Sequence, residues 1–248
     1  MGNCAGPKLV LTRAGEAEAT IVLGMRQTDA DAFAAQELQR YMARISGATI
    51  PIAAQAEQGQ GAVILIGTLE SNEPIGQMED ELMVGGKRPA AEGFLIKTVE
   101  GKLVIAGADS PGVVYGVYTF LEMLGCRWFG PSEEYEEVPC NETIVVSEIE
   151  VLEEPAFKRR EIRSTGWWGI KNKLNYVSVA ELGDRVYQWG FKQPSPILHC
   201  FSQLLPHDKY FESHPEWYPL INGKRSFGEG HPKGKVQLCV SNEQMRAE

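Results

Sequence analysis

The sequence predicts an α/β fold, a mixed β-sheet with helices packed on it, and three stretches carry that prediction. An amphipathic helix is expected over residues 28–47, a two-stranded hairpin over 93–107, and an almost wholly apolar helix over 112–124. A helix with one apolar face covers a sheet or another helix, whereas a helix with almost no polar face is buried on both sides. Both helices therefore need a sheet to pack on.

The first helix has a defined start and a defined end. It follows two short runs typical of strands, LVL (9–11) and TIVLG (20–24). Thr28 and Asp31 have the spacing of a capping box, and apolar residues then recur at helical spacing. Gly47 is a suitable C-terminal stop. This pattern predicts an amphipathic helix lying on one face of the sheet.

The central strands are expected at AVILIG (62–67) and GFLIKTVEGKLVIAG (93–107). An unbroken apolar run of six residues is typical of a buried strand. The second stretch holds two β-rich runs joined through Glu100 and Gly101, which favours a hairpin.

The next stretch, GVVYGVYTFLEMLGCRWFGP (112–131), begins with the predicted apolar helix. Ser110 is expected to cap this helix, with Pro111 at its first position, where proline is favoured. Glu122 is the single charged residue of the helix. A helix of this composition is expected between two layers of the protein.

Glycines set the limits of that helix and its packing. Gly112 and Gly116 lie four residues apart, so one helical face can approach another backbone closely. Gly125 ends the helix, and residues 126–129 are expected to leave it as a short strand.

The acidic stretch SEEYEEVP (132–139) is interpreted as a solvated loop. Its four glutamates are too close in sequence to lie on two sides of one substrate: Glu133, Glu134, Glu136 and Glu137. A strand and a connector follow over 143–155. We place a domain boundary near residue 152, with an accessory α/β domain at 1–152 and a second domain at 153–248.

The second domain starts with a pattern of strand, helix and strand. The first strand is expected over 157–169, the helix over 179–191 and the second strand over 194–201. Two such strands in one sheet pair in parallel through a right-handed crossover. An Asn-Gly turn is expected within 220–227.

The last eight residues, SNEQMRAE (241–248), begin like a helix. Ser241 can cap it and Gln244 can reach back to the cap. A helix of about one turn is marginal by itself. We therefore expect that the chain is cut inside a larger domain.

Composition excludes some classes of partner. The formal net charge is -9 and the pI about 5.1, which disfavours nucleic acid, since a phosphate backbone needs a basic face. The composition is compatible with neutral or cationic small molecules as ligands. We expect no membrane span, because no run is long and apolar enough.

The N-terminus predicts the cellular location of the protein, and the cysteine pattern predicts the redox state of its thiols. No signal peptide is seen, which predicts a cytoplasmic protein, or an extracytoplasmic one if the true N-terminus is missing. Five cysteines lack C-x-x-C spacing and are expected as buried free thiols: Cys4, Cys126, Cys140, Cys200 and Cys239.

Two parts of the chain resemble known families. The hairpin and the GVVYGVYTFLEMLGCRWFGP stretch resemble the N-terminal α/β domain that precedes the barrel in α-glucuronidases and β-hexosaminidase-like glycoside hydrolases. Residues 195–240, with HPEWYPLINGKR and VQLCVSN, resemble the opening of DUF4838, a bacterial barrel domain. The resemblance implies a mixed sheet with helices, then the first βα units of an incomplete TIM-like barrel that acts on carbohydrate.

The candidate site residues follow from the expected strands. Active sites of barrels gather at the C-terminal ends of strands, which places four candidate substrate-binding residues near a pocket: Arg163, Trp167, Trp168 and His199. Indoles can stack on sugar C–H faces, and guanidinium and imidazole can bind hydroxyls. Alternatively, the tryptophans cover the barrel mouth or the domain interface, the arginine pairs with an internal carboxylate, and the histidine is a hydrogen-bonded core residue.

No catalytic, metal or cofactor residue is assigned. The resemblance implies that the acid residues come from later barrel strands, so no catalytic carboxylate is carried over to this chain. His207, Asp208, Glu212 and His214 lack the spacing of a metalloprotease site and are expected in a solvated loop. GADSPG (107–112) lacks the residues of a phosphate-binding loop and is expected as a helix cap.

Three functions remain open from the sequence. The chain is expected to be the N-terminal portion of a glycoside-hydrolase-like protein acting on uronic-acid or amino-sugar glycans, inactive by itself. Alternatively, it is a non-catalytic carbohydrate-binding module, or a structural scaffold in which the apolar helix packs on the sheet on one side and on the barrel on the other.

Overall fold

A computed structural model describes residues 8–55, 61–162, 166–179, 183–194, 201–227 and 237–248. The chain forms two compact units, which divide between Pro194 and Ser195. The division differs from the expected boundary near residue 152, because residues 155–194 pack within the first unit. The assignment of 153–248 to a single domain stays a prediction.

The first unit contains mostly short strands and two long helices. Its strands are β1 (Leu9–Arg13), β2 (Glu16–Ala17), β3 (Ala19–Val22), β4 (Ile52–Ala53), β5 (Ala62–Gly67), β6 (Phe94–Val99), β7 (Lys102–Gly107), β8 (Arg127–Trp128), β9 (Glu136–Glu137), β10 (Ile144–Val146) and β11 (Glu150–Glu153). Its helices are α1 (Asp29–Ser46), α2 (Glu73–Gln77), α3 (Ser110–Met123), α4 (Gly166–Lys171) and α5 (Arg185–Gln188), with a 3-10 turn at Glu133–Tyr135.

The central sheet has six strands in the order β11-β6-β7-β5-β3-β4. The adjacent pairs β4–β3, β3–β5 and β5–β7 are parallel, whereas β6 pairs antiparallel with both β7 and β11. A smaller sheet has the order β10-β1-β2, and β8 pairs with β9. The prediction of a mixed sheet covered by helices is confirmed.

Alternation along the strands divides the core between the two faces of the sheet. Ile21, Ile64 and Ile105 face α1 and α3 in the larger cluster. Val22 and Leu65 face the opposite side, where α2 covers them. Successive side chains of a strand point to opposite faces, so apolar strands such as AVILIG need a layer on both sides.

Helix α1 forms as its sequence predicts. The Thr28 hydroxyl accepts from the Asp31 backbone N–H at 3.1 Å, and the Asp31 carboxylate accepts from the Thr28 N–H at 2.8 Å. Gly47 ends the helix at φ 80°, in the left-handed region. Both ends of the capping box are therefore satisfied, and Leu38 and Tyr41 lie fully buried against the sheet side.

The cap of helix α3 is one residue earlier than expected. Asp109, not Ser110, has the extended backbone of a cap, and its carboxylate accepts from the Gly112 N–H at 2.9 Å. Ser110 already belongs to the helix, and Pro111 follows it. An aspartate and a serine are both good caps, and Asp109 is favoured because its other carboxylate oxygen also accepts from the Glu92 N–H at 2.8 Å.

Helix α3 lies very close to the sheet, as its glycines predict. A Cβ atom at Gly112 would clash with the Gly93 carbonyl oxygen, and one at Gly116 would lie 2.9 Å from the Ile105 Cγ2 atom. The outer side of the helix is also covered: the Tyr115 hydroxyl donates to the Leu174 carbonyl at 3.0 Å. The expected burial between two layers is confirmed, and residues of the 155–194 segment form the outer layer.

The segment after residue 155 differs from the predicted strand and helix. Residues 166–169 belong to α4 and not to a strand that runs to 169, and α5 covers only four residues of the expected helix. Within the described residues of this segment, extended pairing is limited to parallel bridges of Tyr176 with Glu161 and with Lys192. The expected strand at 194–201 lies almost wholly outside the described residues. The TIM-like barrel stays a prediction.

The second unit is small and has its own apolar cluster. Its elements are α6 (Phe201–Leu204), α7 (His207–Tyr210), a 3-10 turn at Pro215–Trp217, β12 (Leu220–Ile221), β13 (Lys224–Arg225) and α8 (Glu243–Ala247). Asn222 and Gly223, at φ 51° and 78°, form the predicted turn between the two strands. Asn242, not Ser241, caps α8, since its side chain accepts from the Met245 N–H at 3.0 Å.

Substituting Gly116→Leu tests the close packing of α3 on the sheet. The new side chain has no room beside Ile105 and Phe94, so the helix must move away from the strands. Overpacking costs about 1–3 kcal/mol, whereas replacing a helical glycine stabilises the helix by up to about 1 kcal/mol. We therefore expect a net loss of about 1–2 kcal/mol in the free energy of unfolding. Urea unfolding measures it.

The matched control is Gln36→Leu, which adds a leucine at an exposed position of α1. It should change the free energy of unfolding by less than about 0.5 kcal/mol. Equal effects of the two substitutions would contradict the placement of α3.

Candidate functional site

Three parallel strands of the central sheet end at one edge, and each run closes with a glycine. Gly24 follows β3, Gly67 ends β5 and Gly107 ends β7. The Cβ positions of all three are filled by the loops that fold back over this edge: at Gly24 the nearest atom is Glu73 Oε2 at 2.6 Å, and at Gly67 it is Ser71 Oγ at 2.8 Å. At Gly107 a Cβ would clash with the Val113 backbone nitrogen. Side chains larger than hydrogen would push the loops off the edge.

Asn72 holds two of the strand ends together. Its amide nitrogen donates to the Val22 carbonyl at 2.9 Å and to the Ile66 carbonyl at 3.0 Å, and the side chain is fully buried. These carbonyls belong to neighbouring strands, β3 and β5. The chain leaves β3 toward β4 on one side, whereas β5 and β7 lie on the other side, so this is a topological switch point of the sheet.

A cavity of about 570 Å³ opens at this edge. Open α/β sheets bind ligands in such a crevice, outside the carboxyl ends of the strands, and ligand pockets commonly measure about 300–1,000 Å³. The loops after β3, β5 and β7 all contribute to its wall. The lining residues are Arg26, Thr28, Thr68, Leu69, Glu70, Ser71, Glu79, Leu82, Arg88, Pro89, Leu95, Ala106, Gly107, Ala108, Asp109 and Ser110.

The charged groups of the cavity wall are mostly paired. Arg26 lies 3.6 Å from Glu73, and Arg88 forms an ion pair with Glu79. Asp109 uses both carboxylate oxygens on backbone N–H groups. The polar groups that remain available are hydroxyls and an exposed carboxylate, Glu70, beside the apolar side chains of Leu82 and Leu95.

A separate buried network centres on Glu136. Its carboxylate accepts from the Tyr41 hydroxyl at 2.9 Å and pairs with Arg44 at 2.5 Å and with Lys171 of α4. Trp128 Nε1 donates to the Tyr41 hydroxyl at 2.8 Å. The side chain of Glu136 is 3% exposed, so the expected solvated loop is wrong for this residue.

The electrostatics of Glu136 favour its ionised form. Burial alone would raise its pKa, but hydrogen bonds from Lys171 and Arg44 outweigh burial and hold the pKa below its usual range. Conversely, burial raises the pKa of Tyr41, and the phenol stays protonated to donate its hydrogen bond. A carboxylate held charged by two cations is suited to structure and not to proton donation.

Glu92 has the same character on the other side of α3. It accepts from Asn175 Nδ2 at 2.9 Å and from Arg160 at 2.6 Å, with Lys192 at 3.3 Å. Burial would raise its pKa, but the hydrogen bonds from Asn175 and Arg160 lower it. Asn175 is fully buried. This network fixes the 155–194 segment to the β6–α3 region.

The structure places the predicted sugar-binding tryptophans in packing positions. The Trp167 ring stacks on Phe33 at 5.0 Å between centroids, and Trp189 stacks on the same phenylalanine at 5.2 Å. Trp168 Nε1 donates to the Trp128 carbonyl at 2.8 Å. From α4, Trp167 thus contacts α1 and Trp168 contacts β8, whereas Arg163 and His199 lie outside the described residues. Their binding role stays a prediction.

The other candidates have local partners. His214 stacks on Trp217 with 4.0 Å between centroids, and His207 stacks on Phe227. Among the described residues, no cluster of three His, Cys, Asp or Glu could hold a metal ion. Cys126 is buried, which raises its pKa to about 11, but Cys140 is exposed, so the expectation of buried thiols is wrong there.

A simple pattern could have pointed to the cavity. The runs TIVLG, AVILIG and LVIAG each end in glycine, and a charged residue follows within three positions: Arg26, Glu70 and Asp109. Parallel strands end at the same edge, so three such endings converge on one place. The pattern was visible without the structure, but only the strand order shows that the three strands are neighbours.

The two resemblances are confirmed by family models. Residues 10–120 match the model described as the glycosyl hydrolase family 67 N-terminus. Residues 130–247 match a domain of unknown function, DUF4838. The DUF4838 match begins inside the first compact unit: β10 pairs with β1, and β11 pairs with β6. Strands from both matched regions therefore share the sheets of the first unit.

Solved structures with partial similarity are glycoside hydrolases. A family GH115 4-O-methyl-α-glucuronidase with specificity for decorated arabinogalactans is 24% identical over 61% of this chain, with a TM-score of 0.49. The N-acetyl-β-hexosaminidase of Streptomyces plicatus is 15% identical over 62%, with a TM-score of 0.39. The GH20 exo-β-N-acetylglucosaminidase of Vibrio harveyi is 14% identical over 63%, with a TM-score of 0.36.

The chain spans a quarter or less of these proteins: 19%, 25% and 18% of their respective lengths. No curated protein matches the sequence. Within the described residues, no helix has the length and apolar character needed to cross a membrane.

The Glu136→Gln substitution tests the buried network. It leaves Lys171 and Arg44 without their counter-charge, and removing one partner of a buried ion pair costs on the order of 3 kcal/mol in the free energy of unfolding at pH 7. The exposed neighbour Glu137→Gln is the matched control and should cost less than about 0.5 kcal/mol.

The contribution of Glu136 to the free energy of unfolding depends on pH. The pKa of Glu136 is lowered in the folded state, so its contribution is present above the unfolded pKa of about 4.3 and is lost as pH falls through the folded pKa. The difference between Glu136→Gln and the parent protein should therefore shrink as the pH falls below about 4.3. Urea unfolding at several pH values measures it, and a constant difference would count against the network.

Proposed function

We propose that this chain is the N-terminal, non-catalytic part of a protein that hydrolyses uronic-acid or amino-sugar glycans. One observation carries the proposal: residues 10–120 match the glycosyl hydrolase family 67 N-terminus. The acidic balance of the chain agrees with a partner other than nucleic acid.

The buried carboxylates support a non-catalytic role. Glycoside hydrolysis commonly needs one carboxylic acid that is protonated near neutral pH and one carboxylate. Glu92 and Glu136, the acidic centres of the two buried networks, both have lowered pKa values because cations and amides hydrogen-bond them. Neither can keep a proton for a leaving group at neutral pH.

Packing of the first unit favours a scaffold role. Helix α3 lies between the central sheet and the 155–194 segment, which belongs to the DUF4838 match. Tyr115 also contacts Phe191 edge-to-face at 5.8 Å. The family 67 region thereby supplies a rigid base on which the start of the DUF4838 region is held.

The substrate-binding role of the four candidate residues is part of the proposed function. Arg163, Trp167, Trp168 and His199 all lie in the DUF4838 match. The stacking of Trp167 on Phe33 and the hydrogen bond from Trp168 favour their alternative, a packing role at the contact with α1 and β8.

A hydrolysis screen tests the proposed function. The 248-residue chain and a protein continued past residue 248 are assayed on aryl glucuronides and aryl N-acetylhexosaminides. We expect hydrolysis by the longer protein and none by the shorter one, because the catalytic carboxylates are proposed to lie further along the chain. A control longer protein carries Glu137→Gln, which should leave the rate unchanged.

Two results would contradict the proposal. Hydrolysis by the 248-residue chain would show that catalytic carboxylates lie within it. Hydrolysis by neither protein, with both folded by circular dichroism, would remove the assignment to these substrates.

A further inference from the structure

We propose that the cavity at the carboxyl edge of the central sheet is a second, non-catalytic site that binds a neutral sugar unit. The choice of a sugar among neutral ligands rests on the proposed function, whereas the site itself rests on its geometry. The site lies wholly within the family 67 region and involves none of the predicted sugar-binding residues.

The edge is shaped by the backbone and not by mobile side chains. Gly24, Gly67 and Gly107 let three loops fold back tightly, and the buried Asn72 fixes the ends of β3 and β5. A site whose wall is already formed loses little entropy when a ligand binds.

Two hydroxyl groups of the wall have unused hydrogen-bonding capacity. Ser71 is 5% exposed, and its oxygen accepts from the Thr68 N–H at 2.8 Å and the Thr68 hydroxyl at 3.2 Å. This arrangement fills both acceptor positions of Ser71, and its own hydrogen has no acceptor within the described residues. The Ser110 hydroxyl has no hydrogen-bond partner among them either.

The charges of the wall disfavour a charged ligand. An anion would need a free cation, but Arg26 and Arg88 each already face a glutamate. A cation would meet one unpaired carboxylate, the exposed Glu70, and a single exposed ion pair contributes little to affinity. Hydroxyl groups and the apolar side chains of Leu82 and Leu95 in one wall suit a molecule with many hydroxyls and a C–H face, which is the chemistry of a neutral pyranose.

The test is a titration of the 248-residue chain by NMR, with N-acetylglucosamine, glucuronate and myo-inositol as separate probes. With N-acetylglucosamine, we expect saturable chemical-shift changes of the backbone amides at Gly24, Gly67 and Gly107. Glucuronate should bind at least about tenfold more weakly at neutral pH, because no unpaired cation lines the wall. Myo-inositol separates a sugar site from a site for any polyol and should also bind about tenfold more weakly.

Two variants and one control variant locate the site. Ala108→Trp fills the cavity from an exposed position and should lower the affinity at least about tenfold, whereas Ala54→Trp, at an exposed position outside the cavity, should leave it unchanged. Ser110→Ala removes a hydroxyl without a partner and should weaken binding about threefold to tenfold with no change in the free energy of unfolding.

Several outcomes would overturn the proposal. They are no saturable shift with N-acetylglucosamine in the folded chain, tighter binding of glucuronate or myo-inositol, or equal affinities of Ala108→Trp and Ala54→Trp. The titration does not depend on hydrolysis. If the protein binds the sugar here but cleaves none of the aryl glycosides, the proposed site is supported and the proposed function is rejected.

Discussion

The contact of helix α3 with the central sheet is the constraint on which the rest of the first unit depends. Gly112 and Gly116 let the helix approach β6 and β7 so closely that a single Cβ atom at either position would meet the Gly93 carbonyl or Ile105. The resulting position of α3 fixes the loop at Gly107, and with it one wall of the cavity. It also presents Tyr115 to the segment that follows residue 155.

Two networks of charged side chains add to the apolar contacts of the first unit. Glu92 and Glu136 each join the first part of the chain to the 155–194 segment, through Arg160 and Asn175 on one side of α3 and through Lys171 on the other. Burying these groups is costly unless each is paired, so the two networks specify where the segment docks. Strands β10 and β11, which directly precede this segment, pair with β1 and β6. The DUF4838 match begins at residue 130, whereas the first unit continues to residue 194, because β-pairing crosses the start of the match.

Local patterns were the most informative parts of the sequence. The capping box of Thr28 and Asp31 and the Glu100-Gly101 hairpin act between residues close in sequence, and both are found as predicted. Non-local partners could not be predicted. Glu136 looked like part of a solvated loop because Arg44 and Lys171 are 92 and 35 residues away from it. The cavity was missed for the same reason, since its strand-end glycines become neighbours only through the order of the sheet. Trp167 and Trp168 were expected at a strand end, but they lie in a helix whose position is set by Phe33 and Trp128.

Native-state hydrogen exchange of the 248-residue chain tests most directly whether the 155–194 segment belongs to the first unit. The helical amides of α3 and the bridged amides near Asn175 and Lys192 are the informative probes. Both groups are expected to exchange with the same free energy, equal to that of global unfolding of the unit, because the helix is buried between the sheet and this segment. Exchange near Asn175 and Lys192 at a free energy well below that of α3 would show that the segment opens independently, and would contradict the account.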